Sequence, residues 1–222
     1  DLLTWAAPRY VTVAPPSAGM AWAPEAHHDA ELDTYLVYWS SKVYAADDHE
    51  HAGESHSRIL VARTQDFVTF GEPETYLDLG TGVIDMTVHV EALAEGGVRV
   101  HRLAKQDDAA PDSAQVFHEV GSGFLADDFV RVASNVGLSF ASHVEAPLVF
   151  RANAADATGV RPWYLWVDRY GEDGQGYRAL TSRDIASGAG EPVVGLQLPE
   201  HTKHGTVLPL LRAPSAHPAP AL

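Results

Sequence analysis

Short runs of hydrophobic residues, separated by polar turns, occupy most of the chain, and no segment has the spacing of an amphipathic helix. The run Tyr35–Trp39 is apolar throughout, which is typical of a strand that is covered on both faces. The pattern predicts a short strand at 9–13, a further unit beginning at 204–211, and three groups of four strands between them. The groups are 21–27, 34–43, 58–64 and 74–79; 83–90, 97–105, 115–121 and 129–135; and 143–151, 162–170, 176–183 and 193–198.

A degenerate repeat of about sixty residues organises these strands. Glu25, Asp85 and Glu145 follow one another at intervals of sixty residues, and His204 comes 59 residues after Glu145. Each begins or adjoins a short apolar strand. Four strands in a repeat of this length are typical of a β-propeller blade, so the sequence predicts an all-β propeller. Because the first strand of each blade lines the central channel, we expect these four residues at equivalent places around one axis.

Length and charge narrow the class of protein. With 222 residues and 45% hydrophobic content, the chain can bury one core, which we place at 1–211, with a tail rich in Pro and Ala at 212–222. No apolar run approaches the roughly 18–20 residues that span a membrane. The chain has no cysteine, and its formal charge of −15 argues against nucleic acid and anionic membranes as partners.

Glu145 is the first candidate for chemistry because apolar residues flank it on both sides, in His143-Val144 and Leu148-Val149-Phe150. Burial would raise its carboxyl pKa towards the range of a general acid. A histidine-rich and acidic stretch at 44–57 could bind a metal, but its spacing matches no closed metal site, so we favour a solvated loop. Arg102 and Lys105 end a strand and could reach the pocket, but we favour solvated strand ends for both.

The motifs around these residues resemble glycoside hydrolase family 43, the five-bladed propellers that include arabinofuranosidases, arabinanases and β-xylosidases. The similarity spans roughly 1–211, with blades 2–4 and parts of blades 1 and 5. Alanine at 146 and lysine at 203 replace the glycine and arginine that are usual there. The matching motifs are Trp22-Ala23-Pro24-Glu25, Asp66-Phe67-Val68-Thr69-Phe70, Ile84-Asp85-Met86-Thr87, Val144-Glu145-Ala146-Pro147 and His204-Gly205-Thr206-Val207-Leu208-Pro209.

The resemblance implies an inverting glycosidase that acts on plant cell-wall polysaccharide. By similarity, Glu145 is the general acid and Asp85 modulates its pKa, whereas Trp22, Glu25 and His204 contact the substrate. His204 could also hold a structural calcium ion through water, although no cofactor is required. The family's catalytic base belongs to the first strand of blade 1, which we expect upstream of Asp1.

The residues leave open whether the chain cleaves α-L-arabinofuranosyl or β-D-xylosyl linkages. A carbohydrate-binding or vestigial propeller that keeps the pocket without catalysis is the alternative function. The related fructan-cleaving propellers are disfavoured because they carry a cysteine after the acid, where this chain has Ala146. The resemblance also implies a secreted or extracellular protein that binds oligo- or polysaccharide.

Overall fold

The computed structural model contains three antiparallel sheets of four strands each, and it describes residues 4–30, 32–107, 115–137, 141–171, 176–187, 189–199 and 202–208. Strand order within every sheet follows the chain. Sheet I contains β1 Trp22–Asp29, β2 Thr34–Lys42, β3 Ser57–Thr64 and β4 Glu74–Leu77; sheet II contains β5 Val83–Ala92, β6 Val98–Gln106, β7 Val116–Gly121 and β8 Val130–Val136; sheet III contains β9 Val144–Arg151, β10 Trp163–Arg169, β11 Gly176–Ser182 and β12 Glu191–Pro192. A short 3₁₀ helix, Ile185–Ser187, precedes β12.

Hydrophobic side chains stack the three sheets face to face in chain order. Leu36 and Tyr38 of sheet I pack against Met86 and Phe117 of sheet II. A second cluster joins sheet II to sheet III, and it contains Leu103, Val116, Val144, Trp163, Leu165 and Val167. Among the described residues, no helix is long and apolar enough to cross a membrane. The sequence therefore predicted the all-β class and the grouping of strands correctly.

Sheet I is covered on its other face as well. Trp39 is 1% exposed and packs there with Leu60, Ala62 and Val13. The all-apolar run in β2 is therefore buried on both sides, as its pattern predicted. The strand predicted at 9–13 was wrong, because the chain there pairs with no strand and Val13 only contacts the sheet.

The ends of the repeat also depart from the prediction. The fourth strand of sheet III is the two-residue β12, rather than 193–198. Residues 202–208 form no strand, and the rest of the unit predicted at 204–211 and the tail at 212–222 lie outside the described residues. The motif Asp66-Phe67-Val68-Thr69-Phe70 forms a turn, in which Asp66 Oδ1 accepts hydrogen bonds from the N–H groups of Val68 and Thr69, at 2.8 and 2.7 Å.

Each inner strand contains one extra residue opposite its neighbour, which is a β-bulge. Pairing shifts by one residue after Trp22 in β1, after Ile84 in β5 and after Glu145 in β9. The residue that follows has a left-handed backbone in each case, with φ of 46° at Ala23, 53° at Asp85 and 44° at Ala146; His204 has φ of 47°. Ala23, Asp85 and Ala146 are named the bulge positions below, and His204 shares their left-handed backbone outside any strand.

The bulges correct the alignment that the sixty-residue spacing suggested. Asp85 occupies a bulge position, whereas Glu145 comes one residue before its bulge position and Glu25 comes two residues after its own. His204 shares only the left-handed backbone of these positions. Since a bulge re-aims the neighbouring side chains, this offset decides which groups reach the axis.

A pair of buried histidines lies beside the contact between sheets II and III. His101 Nδ1 and His118 Nε2 are 3.1 Å apart, and His101 also meets Glu91 and Trp163. Burial lowers the pKa of both histidines to about 4. Both rings are therefore neutral in the folded protein at neutral pH.

This pair should make the protein sensitive to acid. The unfolded histidines take up protons near pH 6.5, but the folded ones do so only near pH 4, so stability is lost as pH falls through that window. We expect roughly 3 kcal/mol of lost unfolding free energy from each histidine, measured by urea denaturation at a series of pH values. His118→Gln should flatten this slope, whereas the exposed control His49→Gln should not. Equal slopes in both variants would contradict the assignment.

Candidate active site

Asp85, Glu145 and His204 meet at the inner edge of the sheets, although each comes from a different unit of the repeat. Their carboxylate and imidazole ligand atoms all lie within 4.8 Å of one another. Asp85 lies near the start of β5, Glu145 lies near the start of β9, and His204 follows sheet III. The structure thus brings together three of the five residues that the sequence predicted for the site.

Glu145 is held by two basic groups. Its Oε1 is 3.1 Å from His204 Nε2, and its Oε2 is 3.5 Å from the Lys105 ammonium. Burial alone would raise the pKa of Glu145, but the His204 hydrogen bond and the Lys105 charge outweigh it, so the net pKa is lowered. The predicted rise was therefore wrong for this arrangement. The same hydrogen bond raises the pKa of His204.

Asp85 is buried behind Glu145 and fixes the backbone beside it. Its Oδ2 accepts a hydrogen bond of 3.1 Å from the N–H of Ala146, the residue next to Glu145. Burial raises the pKa of Asp85, and His204 partly offsets that rise. Its carboxylate is also too close to Glu145 to serve as the base of an inverting pair, because such pairs stand about 6.5–9.5 Å apart to admit water.

Sequence reasoning did not assign Lys105 or Asp168 to the site. Lys105 is only 4% exposed and its Nζ lies over the ring of Tyr170 at 4.4 Å, so the predicted solvated strand end is wrong. Arg102 is buried too, but it pairs with Glu119 away from the cluster. The other missed residue is Asp168, a polar interruption at the end of the apolar run Trp163–Val167.

Asp168 is fully buried and faces His204. Its Oδ1 accepts a hydrogen bond from the N–H of Gly176, whereas its Oδ2 has no hydrogen-bond partner and lies 3.9 Å from His204 Nε2. Burial raises the pKa of Asp168, and the His204 charge counters that rise. A buried carboxylate oxygen without a hydrogen bond is costly, so Asp168 is a candidate for a role at the site.

Glu25 and Trp22 were both predicted to contact the substrate, but only Glu25 lines the cavity beside the cluster. Glu25 lines a cavity of about 500 Å³ together with Asp85 and His204. Its Oε2 accepts hydrogen bonds from Tyr38 Oη and Thr87 Oγ1, and burial raises the pKa of Glu25 to about 7. Trp22 is 55% exposed and does not line the cavity. Its role as a wall for the sugar stays a prediction.

Calcium near His204 also stays a prediction. Calcium takes six to eight oxygen ligands, whereas the group at the axis offers two carboxylates and one imidazole nitrogen that already contacts Glu145. This donor set does not fit calcium without further ligands. The other candidate metal site, the loop at 44–57, is held by contacts within the loop. Asp48 accepts hydrogen bonds from the N–H groups of Ala52 and Gly53, and His51 stacks on Tyr44.

Known proteins share this arrangement of sheets. A solved family-43 glycoside hydrolase described as thermostable superposes with a TM-score of 0.52 at 14% identity, over 80% of this chain and 55% of the other. An α-L-arabinofuranosidase of Lactobacillus brevis gives 0.51 at 15% identity, over 81% and 57%. Both likenesses support the propeller fold. This chain therefore spans little more than half of each solved protein.

Sequence comparison adds the family. An α-L-arabinofuranosidase of Bifidobacterium longum subsp. longum is 38% identical over 85 residues, which is 35% of this chain and 8% of that protein. The model of the family related to glycoside hydrolase family 43, described as a probable glycosyl hydrolase domain, matches residues 1–215. The chain belongs to this family of family-43-related glycosyl hydrolases.

Proposed function

We propose that this chain carries the acid side of an inverting glycosidase that cleaves α-L-arabinofuranosyl linkages in plant polysaccharide. The observation that carries the proposal is the meeting of Glu145, Asp85 and His204 at one point on the inner edge of three units. Similarity to an arabinofuranosidase favours this sugar over the β-D-xylosyl alternative. We also propose that the protein acts outside the cell.

Glu145 is proposed as the general acid because it is the carboxylate at the cluster with the best access to solvent. Its side chain is 17% exposed, whereas that of Asp168 is fully buried. In this mechanism Glu145 gives a proton to the glycosidic oxygen as the bond to the sugar breaks. Glu145 loses its proton in that step, and the two cations beside it stabilise the carboxylate that forms.

Asp85 is proposed to orient the acid and to modulate its pKa. A negative charge at Asp85 favours the protonated form of Glu145, whereas Lys105 favours the ionised form. The negative charge of Asp85 and the positive charge of Lys105 therefore have opposite effects on the pKa of Glu145, and the fraction of Glu145 that is protonated depends on both. Glu25 and His204 are proposed to contact the bound sugar, because both line the cavity beside the cluster.

A carbohydrate-binding protein without catalysis is the second candidate. The lowered pKa of Glu145 favours it, because an ionised carboxylate accepts hydrogen bonds from sugar hydroxyls and cannot donate a proton. The two functions differ in whether the Glu145 proton is needed, and substitution of Glu145 separates them.

In the intact enzyme, which includes the catalytic base, Glu145→Gln should abolish hydrolysis of substrates with poor leaving groups while leaving sugar binding intact. We expect a fall in kcat of about 100-fold or more on an arabino-oligosaccharide, and a smaller fall on an activated aryl arabinofuranoside, which needs less protonation. Steady-state kinetics and calorimetric binding measure the two effects. The exposed control Glu54→Gln should change neither. Equal losses on both substrates would contradict the acid role.

Lys105→Met should move the alkaline limb of kcat/KM to higher pH. The ammonium lowers the pKa of Glu145, so its removal lets the acid keep its proton at higher pH. The pH profile on an unactivated arabinoside measures the limb. Lys42→Met is the control because Lys42, at the end of β2, is not among the groups that shift the pKa of Glu145 most. A limb that stays in place or moves to lower pH would show that Lys105 does not act on the acid.

A further inference from the structure

Three polar residues on second strands occupy the same place in their sheets. Ser40 pairs with Trp22, Lys105 pairs with Ile84, and Asp168 pairs with Glu145, and each partner comes directly before a bulge position. All three second-strand residues are buried, at 0%, 4% and 0% exposure respectively.

Each of these residues contacts the next unit of the repeat. Ser40 of sheet I reaches Asp85 in sheet II, and Lys105 of sheet II reaches Glu145 in sheet III. Asp168 of sheet III reaches His204, which follows that sheet. The three residues differ in chemistry but share a place and a direction, which indicates one structural role repeated around the axis.

We propose that Ser40 is a positioning residue that holds Asp85 in place for its action on Glu145. Ser40 Oγ accepts a hydrogen bond of 3.1 Å from the N–H of Asp85, 45 residues away in sequence. The Asp85 carboxylate in turn accepts a hydrogen bond from the N–H of Ala146. One chain of hydrogen bonds thus connects the three sheets and ends beside the candidate acid.

The bulge explains why Asp85 needs this acceptor. The extra residue of a bulge lacks its partner in the strand ladder, and an unpaired buried N–H is costly. Asp85 also has a left-handed backbone with φ of 53°, a conformation that persists only where its surroundings hold it. Ser40 Oγ supplies the missing acceptor and so fixes both the backbone and the direction of the carboxylate.

The neighbouring serine gives a matched control. Ser41 is also 0% exposed on β2, but its hydroxyl donates to the carbonyl of Lys42, whereas the Ser40 hydroxyl accepts the Asp85 N–H. Ser40→Ala and Ser41→Ala therefore remove one buried hydroxyl each from adjacent positions, and only the first removes the contact with Asp85. Ser40→Cys serves as a further variant that nearly keeps the volume while weakening the acceptor.

Amide hydrogen exchange, followed by NMR on the full chain, tests the positioning without any need for turnover. In Ser40→Ala and Ser40→Cys we expect the amides of Asp85 and Ala146 to exchange about tenfold faster, with no comparable change in Ser41→Ala. The Cys variant decides the matter if the Ala variant does not fold. Equal effects of the two serines, or protection that persists at Asp85, would overturn the proposal.

Kinetics test the consequence, which rests on the proposed glycosidase function. Ser40→Ala should lower kcat about tenfold with KM nearly unchanged, because a misplaced Asp85 disturbs the reacting geometry rather than sugar binding. Ser41→Ala should retain the wild-type values. An active wild type whose kcat survives Ser40→Ala would overturn the link to catalysis. These kinetics need the intact enzyme, in which the base is present. An intact enzyme without activity would count against the proposed function, and amide exchange would still decide the positioning.

Discussion

The hydrogen bond from the Ala146 N–H to the Asp85 carboxylate is the interaction on which the site depends. It connects two inner strands at their bulge positions, and it lies next to Glu145. Because both residues have left-handed backbones, neither can adopt its conformation without cost, and each helps to hold the other. The site is therefore a property of the packed sheets rather than of any one strand.

Charge explains how the site can be both buried and reactive. Glu145, Asp85 and Asp168 bring three carboxylates to the axis, whereas His204 and Lys105 bring two basic groups. An excess of carboxylates in a desolvated place favours a retained proton, and the two basic groups decide which group releases it. Asp168 Oδ2, which accepts no hydrogen bond and only approaches His204 Nε2 at 3.9 Å, is the residual cost of this balance.

The period of the sequence was sufficient to predict the sheets and the meeting of Asp85, Glu145 and His204, because burial on alternating faces is recorded directly in hydrophobic spacing. The period could not predict the bulges, since an alanine with a left-handed backbone looks like any other alanine in the sequence. Glu25 was therefore aligned with Asp85, although Ala23 is the residue of β1 that is equivalent to Asp85. Lys105 and Asp168 were missed for a related reason. Their roles come from pairing across strands, which places Lys105 beside Glu145 although 40 residues separate them.

A crystal structure of the chain with a bound arabinose-configured ligand tests the central claim most directly. The account predicts that the sugar occupies the cavity lined by Glu25 and His204, with its glycosidic oxygen about 3 Å from the Glu145 carboxylate. Asp85 should keep its hydrogen bond to the Ala146 N–H in that complex. A sugar bound elsewhere, or a glycosidic oxygen that faces any group other than Glu145, would contradict the account.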